Sequence, residues 1–271
     1  MLKKSWLIWT LATVITIFSM IWQRRTGPTY PFRGAVTFDS AEYAYRVPRS
    51  FDQPSNCPVR LEISDPQVQG TILMKRYGVD EPWNRQPMKR DAEGLLAEIP
   101  QQPFAGKIMY YIELAKGSQT QSIGSQADPV IIRFRGAVPM WVVIPHVLLI
   151  FLAFLFSTAA GLLALGRPEK MMRPAILGFI FLSIGGFIFG PLMQDYAFGV
   201  LWSGFPFGTD LTDNKALIGW LIWLAALALN WKKQRPALIA AAALSLLVVF
   251  MIPHSMLGST LDYSTMKVKT G

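Results

Sequence analysis

The 271-residue chain holds only two histidines, and each follows a proline: His146 inside an apolar run and His254 at the end of another. An imidazole nitrogen is a good ligand for haem iron, and Met140, Met193, Met251 and Met256 add thioethers of the soft kind that suits Cu(I). Asp210 and Asp213 offer carboxylates at i and i+3 that, with His254 and Met256, could hold a cation and through it activate water. The same aspartates, with Thr209 and Thr212, equally describe the N-cap of a helix opening near Ala216, where an acidic side chain satisfies free N–H groups and complements the helix dipole. Three readings therefore stay open: capping and repair of helix ends, a haem or copper site using His146 and His254, and a metal-dependent hydrolase. The chain has no Walker A pattern, dinucleotide glycine fingerprint, CxxC, CxxCH, GxSxG or HExxH, so no familiar signature assigns an activity.

These residues must be positioned by membrane helices. The chain is 52% hydrophobic and 16% charged, with the apolar residues gathered towards its two ends, the pattern of an integral membrane protein with a soluble insert. Five apolar segments predict five spans: 6–22, 138–165, 174–193, 216–231 and 237–252. The first has the length of a span, lacks a cleavage pattern and ends in Trp22 and two arginines, so it reads as an uncleaved anchor. The net charge of +9 comes from dispersed basic residues, many flanking apolar segments, which topology explains and a nucleic-acid partner does not. With the N-terminus cytoplasmic, the inside carries Lys3, Lys4, Arg167, Lys170, Arg173, Lys232, Lys233 and Arg235. Asp195, Asp210, Asp213, both histidines and the C-terminal tail then share the outer side of a bacterial inner membrane, together with the soluble insert.

His146 aligns at helical spacing with Ala153, Ser157, Ala160 and Gly161, and the next span offers Ser183, Gly186 and Gly190. Small residues in such stripes permit close helix contact, so these two spans are expected to pack with His146 turned inward. If the imidazole is structural, a carbonyl freed by Pro145 is its expected acceptor. Residues 202–215, WSGFPFGTDLTDNK, lie between two spans. Trp202, Phe205 and Phe207, with backbone angles fixed by Pro206 and Gly208, read as a lid or contact surface.

Residues 26–137 have a different composition, with short segments broken by Pro, Gly, Asn and Asp. Val59-Arg60-Leu61-Glu62-Ile63 alternates apolar and polar, as a half-buried strand does. Further strands are expected at 35–38, 42–47, 71–77, 95–99, 107–114 and 129–135. Seven short strands in this length suit a two-sheet sandwich. The run from Trp83 to Met88, then Ala97-Glu98-Ile99-Pro100 and Ala105-Gly106-Lys107-Ile108-Met109-Tyr110-Tyr111-Ile112, resembles the second half of bacterial Ig-like or fibronectin type III-like extracellular domains. The resemblance implies that fold and a docking role, and brings no catalytic residues with it. A single cysteine, Cys57, rules out an intrachain disulfide and reads as a small buried hydrophobe.

The expected organisation is an anchor (1–25), an extracytoplasmic Ig-like sandwich (26–137), a four-helix membrane bundle (138–258) and an extracytoplasmic tail (259–271). The function expected first is that of an accessory or docking subunit of a larger membrane complex, without enzymatic activity. It would meet a membrane-protein partner or a second copy through Trp83 and Arg85 of the sandwich and Trp202, Phe205 and Phe207 of the loop.

Overall fold

The computed structural model describes residues 4–253 and 258–269. They form two units, one helical (residues up to 28, and 138–258) and one built of β-strands (Thr29–Ala137 with Ser259–Lys269).

The helical unit consists of α1 (Ser5–Thr26), α2 (Met140–Gly166), α3 (Met172–Ile184), a π-helical turn (Gly185–Phe189), α4 (Gly190–Phe198), α5 (Leu211–Asn230) and α6 (Pro236–Met251). The segment from α3 to α4 is continuous, and with α1 and α2 it makes, among the described residues, three helices long and apolar enough to cross a membrane. Side-chain bonds at the helix ends fix their directions. Arg167 Nη1 at the end of α2 donates to Ser5 Oγ at the start of α1 at 2.6 Å, so those helices run antiparallel. Gln23 Nε2 near the end of α1 donates to Phe250 O near the end of α6 at 2.8 Å, so α1 and α6 run the same way. Lys215 Nζ near the start of α5 donates to Ile252 O at 2.6 Å. One face of the unit thus gathers the ends of α1 and α6 and the starts of α2 and α5.

Against α2, helix contact is closest at Gly178 and Gly185, which the sequence does not single out. A Cβ on Gly178 of α3 would lie 3.0 Å from Ser157 N, and one on Gly185 would lie 3.0 Å from Leu149 Cβ, both on α2. At Gly186 the nearest atom would be 4.0 Å away. Of the expected pair, Gly190 keeps its place against α2, its Cβ position near His146, while Gly186, inside the π turn, is turned away from α2. Gly161 faces α6 instead, with its Cβ position 2.5 Å from Ala243 Cβ. Ser183, expected against α2, accepts from Trp220 Nε1 of α5 at 2.8 Å.

In the β unit, β1 (Phe32–Phe38) and β2 (Ala41–Val47) form a hairpin, closed by Asp39 and Ser40 at φ +46° and +67°, the positive angles that a tight two-residue connection requires. Further on come β3 (Ser50–Asp52), β4 (Cys57–Leu61), β5 (Gln69–Arg76), β6 (Asn84–Pro87), β7 (Lys89–Asp91), β8 (Gly94–Ile99), β9 (Lys107–Lys116), β10 (Gln119–Ile123) and β11 (Val130–Arg135). One sheet has the order β3-β11-β9-β5-β6, with β10 also on β9, and a second has the order β4-β8-β7. Their alternating inward residues, among them Val59, Leu61, Leu95, Ile72, Tyr110, Ile112 and Phe134, meet in one core. Cys57 is part of that core, and burial pushes its thiol up to about 12.

Residues 259–269, read from the sequence as tail, fold with the β unit: β12 (Thr260–Asp262) pairs with β13 (Lys267–Lys269). Leu261 N donates to Ala105 O at 3.0 Å, and Tyr263 OH lies 3.0 Å from both Gln102 Oε1 and Lys107 O. Burial pushes the Tyr263 phenol up to about 12.

Lys116 ties the first hairpin to the rest of the unit. It pairs with Asp39 and reaches Asp65 Oδ2 at 2.6 Å, and its hydrogen bonds hold both carboxyls below their ordinary value of 3.8. A carboxyl with a depressed folded pKa contributes stability that is present above its unfolded pKa and lost as pH falls through the folded one. Acidification to about pH 3 and below is therefore expected to release the β1–β2 turn. Hydrogen exchange at the amides of residues 39–41 should quicken with acid beyond its intrinsic pH dependence, and Lys116→Met should abolish that extra response.

Candidate functional site

The residues with the most chemical promise gather at the face where α2 and α5 begin. Pro145 sits in the second turn of α2, and the half-buried His146 follows it. Its Nδ1 lies 3.0 Å from Gly185 O, in the π turn. A carbonyl only accepts, so Nδ1 carries the proton and donates, which leaves the lone pair of the neutral ring on Nε2. The acceptor is therefore a carbonyl on a neighbouring helix, and not one freed by Pro145. A π turn lengthens backbone bonds to i→i+5, here Gly190 N to Gly185 O, and so leaves carbonyls more open to a lateral donor. Gly190 is close by, its Cβ position 4.0 Å from His146 Cε1.

The same π turn supports the loop. Phe187 stacks on Trp202 at 5.7 Å and an interplanar angle of 23°, and Trp202 Nε1 donates to Phe205 O at 3.1 Å. The loop itself is held from α5. Asp210 is the N-cap: its Oδ1 accepts from Thr212 N at 2.8 Å and Asp213 N at 3.3 Å. Asp213 reaches back, and its Oδ2 accepts from Ser203 N at 2.7 Å, Gly204 N at 3.1 Å and Ser203 Oγ at 3.2 Å. Gln194 of α4 donates to Ser203 Oγ, and Asn214 Oδ1 accepts from Phe205 N at 2.7 Å. A Cβ at Gly204 would come within 2.7 Å of Asp213 Cβ, so only glycine lets the loop lie this close to α5.

This network presents the aromatic tip outward: Phe205 is 69% and Phe207 80% exposed. Lys215, by contrast, is 2% exposed, with its ammonium over the Phe250 ring at 5.6 Å as well as on Ile252 O. Both aspartates are engaged by backbone N–H groups, and among the described residues no three His, Cys, Asp or Glu side chains come together as a metal site. His254 and Met256 lie outside the described residues. Met140 and Met251 are exposed. The sequence pointed to His146, Asp210, Asp213 and Trp202. It gave no warning of Gln194 and Ser203, or of the π turn, for which adjacent Gly185 and Gly186 in an apolar helix were the available signal.

The other residues expected to make contacts, Trp83 and Arg85, belong to the β unit. Trp83 packs edge-on against Tyr111 at 5.0 Å and lies under Lys75 at 5.2 Å. Arg85 pairs with Glu113 at 2.7 Å, and Arg76 is held by Glu81 at 2.7 Å.

Comparison with known proteins finds a partial likeness. The chain is 33% identical over 102 residues to the cytochrome c biogenesis protein CcsA of Prochlorococcus marinus strains MIT 9303 and MIT 9313. It is 34% identical over 90 residues to CcsA of Synechococcus sp. strain CC9311. The first likeness takes in 35% of this chain and 30% of the Prochlorococcus proteins, so the chain spans less than a third of the relatives it matches. No family model and no solved structure matches the chain.

Proposed function

We propose that this is a bacterial inner-membrane protein that serves cytochrome c assembly as a haem-contacting accessory subunit, with His146 as an iron ligand. The observation that carries the reading is the imidazole itself, fixed through Nδ1–H on Gly185 O at 3.0 Å with Nε2 left as the donor. An imidazole whose second nitrogen is held by a backbone carbonyl is the arrangement in which histidine commonly ligates metal. Cytochromes c carry covalently attached haem, so likeness to a protein of their biogenesis supports this use of the histidine. His146 would hold the iron through Nε2. The described residues supply no second imidazole, and His254 and Met256 are the sequence's candidates for a further ligand. Haem held there would bring redox chemistry at the iron; the chain's part is to bind and orient it.

In this reading α5 and α6 also cross the bilayer, giving five spans with the N-terminus cytoplasmic and the β unit periplasmic. The β unit is then an Ig-like sandwich, supported by the strand orders β4-β8-β7 and β3-β11-β9-β5-β6 around one core and by the parallel pairing of β3 with β11. The membrane unit can serve as a docking surface as well, a reading favoured by the exposed and internally braced tip at Phe205 and Phe207.

Titration of the detergent-purified protein with haem should give a saturable Soret band. His146→Ala should weaken that binding at least about tenfold, the scale of lost ligand support. A protein that stays colourless and responds identically with and without His146 would remove the haem reading. If it then co-purified in mild detergent with a stoichiometric membrane partner, docking alone would stand.

A further inference from the structure

The face of the helical unit opposite the histidine and the loop is strongly cationic. The directions of α1, α2, α5 and α6 place Lys4, Arg167, Lys170, Arg173, Lys232, Lys233 and Arg235 on it. Among the described acidic residues Glu169 is its counter-charge, 3.4 Å from Arg167. The α5–α6 turn is its most organised part. The buried side chain of Asn230 donates to Ala226 O at 2.8 Å and accepts from Arg235 N at 2.6 Å, clamping the turn across its base. Trp231 is then 83% exposed. Ala228, Leu229, Trp231, Lys232, Lys233 and Arg235 line an open groove of about 510 Å³. None of those three cations makes an ion pair among the described residues. The start of α6 adds to the field: Pro236 opens the helix and no side chain caps it, so the positive end of its dipole lies beside Arg235.

We infer that the α5–α6 turn is a binding site for the phosphate headgroup of an anionic phospholipid. Three unpaired cations and a helix N-terminus recognise the phosphate, while exposed Trp231 and Leu229 meet the glycerol and upper acyl region, where an amphipathic indole is most stable. A lipid fits better than a soluble anion because the groove has an apolar wall on the side that continues into the helices. The inference rests on reading α5 and α6 as membrane helices.

The test uses the full chain purified in detergent, with native mass spectrometry counting retained phosphatidylglycerol against phosphatidylcholine. Phosphatidylglycerol should be retained preferentially. Lys232→Gln, Lys233→Gln and Arg235→Gln should each lower the preference by about fivefold, the worth of one cation near an anionic surface. The exposed Lys232→Arg/Lys233→Arg variant should retain it. Equal retention of both lipids, or a preference unchanged in the triple Gln variant, would overturn the site. So would displacement of the lipid by inorganic phosphate, which would mark a soluble-anion site. A chain that failed to incorporate into bilayers at all would instead overturn the membrane reading of these helices.

Discussion

Asp213→Ala is expected to unfasten residues 203–208 from α5 and to cost on the order of 2–4 kcal/mol. The carboxylate is 8% exposed and accepts from two backbone N–H groups and the Ser203 hydroxyl. Alanine would leave Ser203 N and Gly204 N buried without partners, and a buried donor without an acceptor carries its full desolvation penalty. Neither donor has a local substitute, because Ser203 O is already taken by Asp210 N at 3.0 Å and Gly204 O by Phe207 N and Gly208 N at 2.9 Å. The start of α5 should survive, since its cap is the separate side chain of Asp210. Hydrogen exchange separates the two effects: protection should fall at residues 203 to 205 and hold at Thr212 and Asp213. Asp213→Asn, which keeps one acceptor oxygen, should lie between. Unchanged protection at Ser203 and Gly204 would show that the loop is held by Trp202 and Phe187 alone.

That loop shows what was legible in the sequence and what was not. Asp210 was readable as an N-cap because capping is local: an oxygen two or three residues ahead of a helix bonds that helix's own N–H groups. Asp213 looked like a second copy of the same signal, yet it faces backward to a segment ten residues earlier, and nothing in the spacing encodes that reach. His146 was readable as inward-facing from its small-residue stripe. Its acceptor was not, because nothing in the residue spacing marks the π turn that opens Gly185 O to a lateral donor.

The β unit divides in the same way. All seven strands expected from alternating apolar residues form, since each contributes side chains to one core. Strands β3, β6, β7, β10, β12 and β13 were missed. They are short and mostly polar, and they exist because a neighbouring strand offers unpaired N–H and C=O groups. β12 and β13 show this most plainly: Lys267-Val268-Lys269 has little apolar content of its own and pairs only because Thr260-Leu261-Asp262 is anchored on Ala105.

Gly94→Ala is expected to cost about 3 kcal/mol or more, one of the largest effects open to a single methyl group in this chain. Gly94 closes the two-residue connection from β7 to β8 with φ +135°, an angle that L side chains rarely adopt. The added Cβ would stand 2.2 Å from Leu61 O and 2.9 Å from Ile63 N. Those atoms are backbone and already bonded to each other at 2.9 Å, so no rotamer can swing aside. Relief would have to come from moving β4 or β8, whose Leu61 and Leu95 are 1% and 2% exposed in the core. Gly117→Ala is the matched control: φ is +55° and nothing lies within 4 Å of its Cβ, so only the left-handed strain remains, about 1 kcal/mol. Hydrogen exchange of the β8 amides should therefore quicken sharply in Gly94→Ala and little in Gly117→Ala. Equal effects of the two substitutions would mean that the β4–β8 approach is looser than the 2.2 Å separation requires.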